Sequence, residues 1–578
     1  MRFEQLPTFV RSMNTSNPID NTKTANGYVR KWWKEAVVYQ IYPRSFKDSN
    51  GDGIGDLNGI TSKLDYIKGL GADVVWLGPH YDSPNADNGY DIRDYRKVMT
   101  EFGTMDDFDA LLRGLKQRGM KLILDLVVNH TSDEHAWFVE SRQSKDNPYS
   151  DYYLWRPAKE GREPNNWVSF FAGSAWKKDS SRGEYYLHLF AEKQPDLNWD
   201  NPEVRSQVHD LMRFWLDKGI DGFRMDVIPF ISKDPSFPDA PESFDGRQEY
   251  IYAAGPKLHD YLQEMHREVL SKYDVMTVGE ALGVTLAQTP LFVDERRNEL
   301  NMIFHFDLVR FDRQGWRCKP WTLPEFKAIC TRFNEGLDCH SWPTVYLTNH
   351  DNPRSVSHFG DDSPEYRVRS AKLLATFQLT SKGTLFIYQG DELGMTNYPF
   401  TGIEQFDDIE VKNTWRVEAD RVSLEEYLEH QRKTSRDHTR TPMQWDDSPH
   451  AGFTIGSKPW FAVNPNYREI NAKLALADDN SVYHYYRTLL ALRKKTLAFV
   501  YGDYKDLDPL HLPVFAYTRT LGPESYLILL NFSRNRISYT LPEGLKAGSL
   551  MISNSKAREE DCTVLQLDPW EARIYRSP

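Results

Sequence analysis

Three acids stand at the ends of apolar runs far apart in the chain: Asp226 in Gly-Phe-Arg-Met-Asp-Val, Glu280 in Val-Gly-Glu-Ala, and Asp351 in Thr-Asn-His-Asp-Asn-Pro. If those runs are parallel strands of one sheet, the carboxylates converge on one rim. Crowded ionised carboxylates repel and lose solvation, so a purely structural role for all three is disfavoured. Cleaving a glycosidic bond calls for such a set: one carboxylate attacks or shields the anomeric carbon, and a second, protonated, hands a proton to the departing oxygen. Arg224 lies two residues before Asp226, on the same side of an extended strand, where its cation can hold that carboxyl ionised. A raised pKa would suit the acid.

A second pattern is Asp48-Ser-Asn50-Gly-Asp52-Gly-Ile54-Gly-Asp56. Oxygen-bearing side chains at alternate positions, a carbonyl at Ile54 and glycines for a tight turn suit a hard cation, although the terminal Glu of an EF-hand is missing. The plain alternative is an Asp- and Gly-rich surface turn.

The elements that must position these residues follow from the hydrophobic pattern. Short apolar runs alternate with amphipathic stretches, as in parallel βα units. Eight runs read as strands, starting at Ala36, Val74, Lys121, Gly222, Asp274, Ile303, Thr344 and Gly383, each ending in polar residues. Near-continuous apolar strands are buried on both faces, and eight of them predict an α/β fold, a (β/α)₈ barrel with its chemistry at the C-terminal rim. The barrel is expected over 30–130 and 200–505. The interval 131–199, rich in Trp, Tyr, Asn and Asp, is too long for a loop and predicts an inserted domain. From 506 to 578 alternating strands predict an antiparallel β-sandwich domain. Residues 1–29, polar and aperiodic, read as a flexible leader.

The 578 residues carry a net charge of -12, which disfavours nucleic acid and anionic membrane as partners and leaves neutral substrates open. Four cysteines form no close pair and read mostly as free thiols. The N-terminus lacks a signal-peptide apolar stretch, and no run approaches the roughly 20 apolar residues of a membrane span. A cytoplasmic enzyme is therefore expected, and with no oligomer signal, a monomer.

The motifs DLVVNH (125–130), GFRMD (222–226), GEA (279–281), TNHDN (348–352) and QPDLNW (194–199) make the chain resemble the α-amylase family of glycoside hydrolases, in its oligo-1,6-glucosidase and sucrose-isomerase branch. The resemblance runs from about Trp32 to the end. It implies Asp226 as nucleophile, Glu280 as acid/base and Asp351 as a clamp on the hydroxyls of a distorted sugar. It implies a terminal-glucose site built from Asp87, Tyr90, His130, Arg224, His350 and Arg440, and Ca²⁺ or Mg²⁺, structural, in the Asp48 loop. No organic cofactor is implied.

Hydrolysis and isomerisation share the glucosyl-enzyme and differ in whether water or retained fructose attacks it. Val227 follows the nucleophile, where the resemblance links Val to α-1,6-acting glucosidases and Thr to isomerases and maltose-preferring members. Leu282 stands where isomerases carry one aromatic of a fructose clamp, while Phe306 can supply the other. Against these, Arg310-Phe-Asp-Arg313-Gln partly matches the charged loop with which isomerases hold fructose. The expectation is a retaining α-glucosidase acting on 1,6-linked and related glucosyl-fructose sugars. A sucrose isomerase is the alternative, and a catalytically dead relative the remote one.

Overall fold

The computed structural model describes residues 22–241, 249–556 and 563–577. Eight parallel strands form the central sheet: β1 (Val37–Ile41), β2 (Val74–Leu77), β3 (Lys121–Leu126), β4 (Gly222–Met225), β5 (Met276–Glu280), β6 (Met302–Phe304), β7 (Thr344–Val345) and β8 (Thr384–Tyr388). Their order in the sheet is β6-β5-β4-β3-β2-β1-β8-β7, a nearly closed barrel. The expected (β/α)₈ fold and all eight strands are found. Every residue of β1, β2, β4, β5 and β8 is buried, as strands covered on both faces require.

Register places the chemistry. Asp125 pairs with Arg224 across β3 and β4, Met225 pairs with Gly279 across β4 and β5, and Glu280 pairs with Phe304 on β6. Asp226 and Glu280 are therefore neighbours at one level of the rim. The approach of β4 to β5 is close: Gly222 has φ +149°, and a Cβ there would lie 1.9 Å from the Met276 carbonyl oxygen. Only glycine admits that contact.

Helices pack outside the strands and are closed by local chemistry. In α1 (Met105–Gln117) the Thr104 hydroxyl and the Asp107 side chain cap each other's backbone amides. In α2 (Pro202–Lys218) Asn201 caps the start, and Gly219, left-handed, ends it. Two further helices, α3 (Leu323–Glu335) and α4 (Arg367–Thr380), back the β6–β8 side of the barrel.

Between β3 and α2 the chain builds a helix, Ala136–Ser141, and a three-stranded antiparallel sheet of Trp155–Arg156, Tyr185–Leu187 and Trp176–Lys178. The aromatic richness of this stretch goes into its own packing, with Phe138 stacked on Trp155 at 5.6 Å and edge-on to Tyr186 at 5.1 Å. It is bolted to the rim by a buried ion pair, Lys233 Nζ to Asp196 at 2.6 Å.

The C-terminal sheet has β9 (Asp503–Asp506), β10 (Val514–Leu521), β11 (Glu524–Asn531), β12 (Ser549–Ser553) and β13 (Ala572–Arg576), in the order β9-β10-β11-β13-β12. A separate two-stranded sheet, Ile537–Thr540 with Val564–Leu567, shares a core of Val514, Leu527, Leu529, Leu565 and Leu567 with it. This is the expected antiparallel domain.

The N-terminal expectation needs correction. Residues 1–21 lie outside the described residues, but 22–29 are packed rather than a free leader. Lys23 bridges Val29, the Asn26 amide donates to the Tyr501 carbonyl at 2.9 Å, and Tyr28, 4% exposed, meets Trp342 edge-on at 5.3 Å. One large aromatic anchors this short segment, a signal that windowed periodicity passes over. Cys318, Cys330 and Cys339 are free thiols, and Cys562 lies outside the described residues.

Candidate active site

Arg224 organises the rim. Its Nη1 donates to Asp125 Oδ1 at 2.6 Å and to Asp226 Oδ1 at 2.5 Å, and its Nη2 donates to Glu280 Oε2 at 2.5 Å. Arg224 is 1% exposed, so the cation and the three carboxylates it gathers sit in a medium of low polarity. There their mutual attraction is strong. The amide of Val227 adds a hydrogen bond to Glu280 Oε2 at 3.2 Å. Val227 has φ +35°, a left-handed conformation that a β-branched residue adopts only under constraint from its surroundings. That turn directs a peptide N–H at the Glu280 carboxylate.

Burial pushes the Asp226 carboxyl upward, Arg224 draws it down, and the charges of Glu280 and Asp125 push it up again, with the net position well above the usual carboxylate range. Asp226 therefore holds its proton to a higher pH than an isolated aspartate would.

Asp351 is held the opposite way. Burial raises its carboxyl, but His350, ahead of Arg436 and Arg440, overcomes this and keeps it well below the usual range. Asp351 Oδ2 is 3.1 Å from His350 Nε2, and Oδ1 accepts from Arg440 Nη2 at 2.8 Å and from Arg436 Nη1 at 3.4 Å. The His350 ring is fixed between the Gln40 amide, 2.8 Å from Nδ1, and the Tyr90 hydroxyl, 2.6 Å from Nε2, with the Tyr90 ring stacked on it at 5.3 Å.

Gln194 joins the remaining members. Its amide donates to Asp87 Oδ2 at 3.2 Å and lies 3.2 Å from His130 Nε2. Burial holds His130 down at about 4, so its ring is neutral; its Nε2 lies 3.2 Å from the Tyr90 carbonyl and its Nδ1 3.2 Å from the Asn129 amide. Asp87 faces Arg436 Nη2 at 3.6 Å. Phe306, Leu282 and Val227 pack in one apolar cluster, and the Arg310 guanidinium lies 4.8 Å over the Phe306 ring.

The residues singled out at the rim in the sequence thus meet in one place. Asp48, Asn50, Asp52, Ile54 and Asp56 form a separate loop. There Asp48 accepts the amides of Asn50, Gly51 and Gly53 at 2.7–2.9 Å, and Asp56 caps the short helix Leu57–Thr61 through the Gly59 amide at 2.6 Å. Four participants escaped sequence reasoning: Asp125, Gln40, Gln194 and Arg436. Asp125 begins the DLVVNH motif and Gln194 begins QPDLNW, so both were within reach. Arg436, which grips Asp408 through Nε at 2.9 Å and Nη2 at 2.5 Å while facing Asp351 and Asp87, sits four residues before Arg440 and carries no motif.

A parallel barrel whose rim sets two carboxylates on one guanidinium has the arrangement that cleaving a glycosidic bond requires. Comparison with known proteins gives the family: the profile "Alpha amylase, catalytic domain" matches residues 40–502, and "Alpha-amylase SusG C-terminal domain" matches 514–574. The chain belongs to the α-amylase family, and is a glycoside hydrolase. It is 55% identical over 562 residues to an oligo-1,6-glucosidase of Parageobacillus thermoglucosidasius, covering 95% of this chain and 99% of that protein. It is 54% identical to another from Halalkalibacterium halodurans, covering 94% and 99%. Among solved structures, isomaltulose synthase from Erwinia rhapontici NX5 superposes with a TM-score of 0.94 at 54% identity, covering 95% of this chain and all of that one. The isomaltulose synthase SmuA from Protaminobacter rubrum has a TM-score of 0.94 at 53% identity, with the same coverage.

Proposed function

We propose that the enzyme is a retaining, exo-acting α-glucosidase that releases α-glucose from α-1,6-linked and glucosyl-fructose disaccharides and short oligosaccharides, isomaltose, isomaltulose and trehalulose among them. The observation that carries this reading is the single guanidinium of Arg224 holding Asp226 and Glu280 side by side, in a chain so similar to proteins named oligo-1,6-glucosidase.

In the first half-reaction Asp226 attacks the anomeric carbon while Glu280 protonates the glycosidic oxygen; the C–O bond breaks and a β-glucosyl ester forms. As the glucosyl ring arrives and positive charge grows at its anomeric carbon, ionised Asp226 is favoured, while Glu280 serves as the acid. In the second half-reaction Glu280 takes a proton from water, which attacks the same carbon, frees Asp226 and gives net retention. Asp351, kept ionised by its cations, accepts hydrogen bonds from ring hydroxyls, and His130, His350, Asp87 and Arg440 complete the glucose site.

Sucrose isomerisation is the second reading, favoured by the likeness to isomaltulose synthases and by Arg310 over Phe306 at the acceptor side. Incubation with sucrose, isomaltulose, isomaltose and maltose, followed by chromatography, separates the two. Free glucose mainly from 1,6-linked sugars is expected; isomaltulose or trehalulose accumulating from sucrose overturns the hydrolase reading.

The Asp48 loop is our candidate for a structural Ca²⁺ or Mg²⁺. Asp48, Asp52 and Asp56 bring three carboxylates into one loop, where the Lys47 ammonium interacts with Asp48 and Asp56. No group of three or more His, Cys, Asp or Glu close enough to hold a metal occurs among the described residues. A cation here would therefore depend on the Asn50 and Ile54 carbonyls as well, the hard-oxygen set that suits these ions. We also read the enzyme as a cytoplasmic monomer; its free thiols fit a reducing compartment, and light scattering at one chain's mass would support the monomer. No helix among the described residues is long and apolar enough to cross a membrane.

A further inference from the structure

Two arginines about one helical turn apart enter the glucose end of the rim. Arg436 stands just before the short helix Asp437–Arg440, so its side chain and that of Arg440 fall on one face, and both meet Asp351 Oδ1. Both are buried. Neighbouring cations taken out of water repel each other and are tolerated only where acids answer them. Here they are answered unequally. Among the described residues Arg440 pairs with one acid, Asp351, at 2.8 Å. Arg436 faces four: it grips Asp408 with Nε at 2.9 Å and Nη2 at 2.5 Å, and lies 3.4 Å from Asp351, 3.6 Å from Asp87 and 3.5 Å from Glu410.

The grip on Asp408 is itself fixed. The Asp437 carboxylate accepts the amides of Asp407 and Asp408 at 2.7 and 3.0 Å, and Asp408 Oδ1 caps the helix Ile409–Glu418 through the Glu410 amide at 2.9 Å. The ring of Phe171, from the inserted domain, lies 5.0 Å from the guanidinium and covers it from that side. A planar fork held along one edge presents its other nitrogens at a set distance, which a flexible ammonium does not. That distance is to Asp351 and Asp87.

The charges around the fork agree with its geometry. Burial pushes Asp87, Asp408 and Asp351 up. Against it Arg436 is the foremost cation at Asp87 and at Asp408 and follows His350 at Asp351, with Arg440 adding to all three; Asp87 stays above the usual carboxylate range and the other two fall below it. Asp351 and Asp408 each push Asp87 further up, so Asp408 both competes for the cation and repels the acid that needs it. On the outer side Glu410 is shared with Arg310 and Arg313.

We propose that Arg436 is a positioning residue of the glucose site: held by Asp408, it keeps Asp87 and Asp351 ionised side by side at a fixed separation, so that together they take the hydroxyls of one glucosyl ring. This rests on the reading of Asp87 and Asp351 as glucose ligands, and supplies the charge that lets two buried acids serve next to each other. Removing the cation and removing its competitor should then act in opposite directions.

Calorimetric titration of glucose into the full-length Asp226→Asn enzyme across acid and neutral pH reads this, because the nucleophile's own proton no longer enters. Affinity should fall on the acid side as Asp87 and Asp351 take up protons. Adding Arg436→Gln should weaken binding on the order of ten-fold at neutral pH and move that fall up by about one pH unit, the lower end of what a nearby cation does to a carboxyl. Arg436→Lys keeps the charge and should leave the fall near its place while still weakening binding. Asp408→Asn frees the guanidinium and should move the fall down. A pair that only braces the loop would change Tm and affinity and leave the position of the fall alone. If Arg436→Gln does not fold, Asp408→Asn decides: a downward move supports the proposal and an unmoved fall overturns it. Coincident pH profiles in all folded variants overturn the proposal alone, whereas an Asp226→Asn parent that binds no glucose overturns the glucose-site reading and the proposal with it.

Discussion

At the residue scale one cation, Arg224, is hydrogen-bonded to two carboxyls. Because one cation touches both, removing either acid leaves the other with a different charge balance as well as a missing partner. Asp226→Asn should lower kcat by on the order of 10³ or more for every substrate, since the ester cannot form. Glu280→Gln should do the same for isomaltose, but spare ester formation from p-nitrophenyl α-glucoside, whose leaving group needs no proton. A burst of nitrophenol followed by slow turnover is the expected signature. Circular dichroism should show both variants folded. Wild-type-like turnover in either, or equal losses on both substrates for Glu280→Gln, would sink the assignment of roles. The acids were legible because charged residues at the ends of apolar runs are conspicuous. Arg436 was not, because its importance lies in facing Asp351, Asp87 and Asp408 from a segment remote in sequence, a fact of tertiary geometry alone.

At the scale of elements, strands buried on both faces announce themselves, and all eight runs appear in the sheet. Their lengths were less legible. The run from Thr344 keeps ladder pairing only at Thr344 and Val345, after which Tyr346 bonds to the His305 carbonyl by its side chain. A hydrophobic run records burial and says nothing about which groups answer the backbone. The Asp48 loop illustrates the same limit. Its alternate oxygens were plain in sequence, yet in the fold they also hold the turn together by accepting its amides. Both roles are compatible if a cation shares those oxygens, and a test follows. The loop packs on the segment around Thr454, whose hydroxyl donates to Asp48. Chelation with EDTA should therefore lower the Tm by several degrees while leaving the initial rate on isomaltose at low temperature near its starting value. Ca²⁺ or Mg²⁺ should restore the Tm. An unchanged Tm in EDTA, with metal analysis showing none bound, would reduce the loop to a self-contained turn.

For the whole molecule, acidity sets how stability responds to pH. The chain carries a net charge of -12, so its self-repulsion grows as remaining protons leave. A buried acid behind β8 adds a specific contribution. Burial raises the Asp391 carboxyl to about 7, Glu392 adds to the rise, and Arg354 only partly opposes it. An unfolded Asp titrates near 3.9. Between about pH 4 and 7 the folded chain therefore holds a proton that the unfolded chain has released. The native state binds more protons across that window, so stability falls as pH rises through it; the contribution is complete at the acid end and lost above about 7. Tm should accordingly decline from pH 5 to pH 7.5. Asp391→Asn keeps the shape without the charge, so its decline should be distinctly shallower, and its Tm at pH 7.5 should exceed that of the wild type. Raising the ionic strength separates the two causes, because salt screens the diffuse surface repulsion and barely reaches a carboxyl 5% exposed. If the variant and the wild type follow parallel curves in high salt, the pH dependence belongs to the surface, and Asp391 is neutralised in the fold by Arg354 after all.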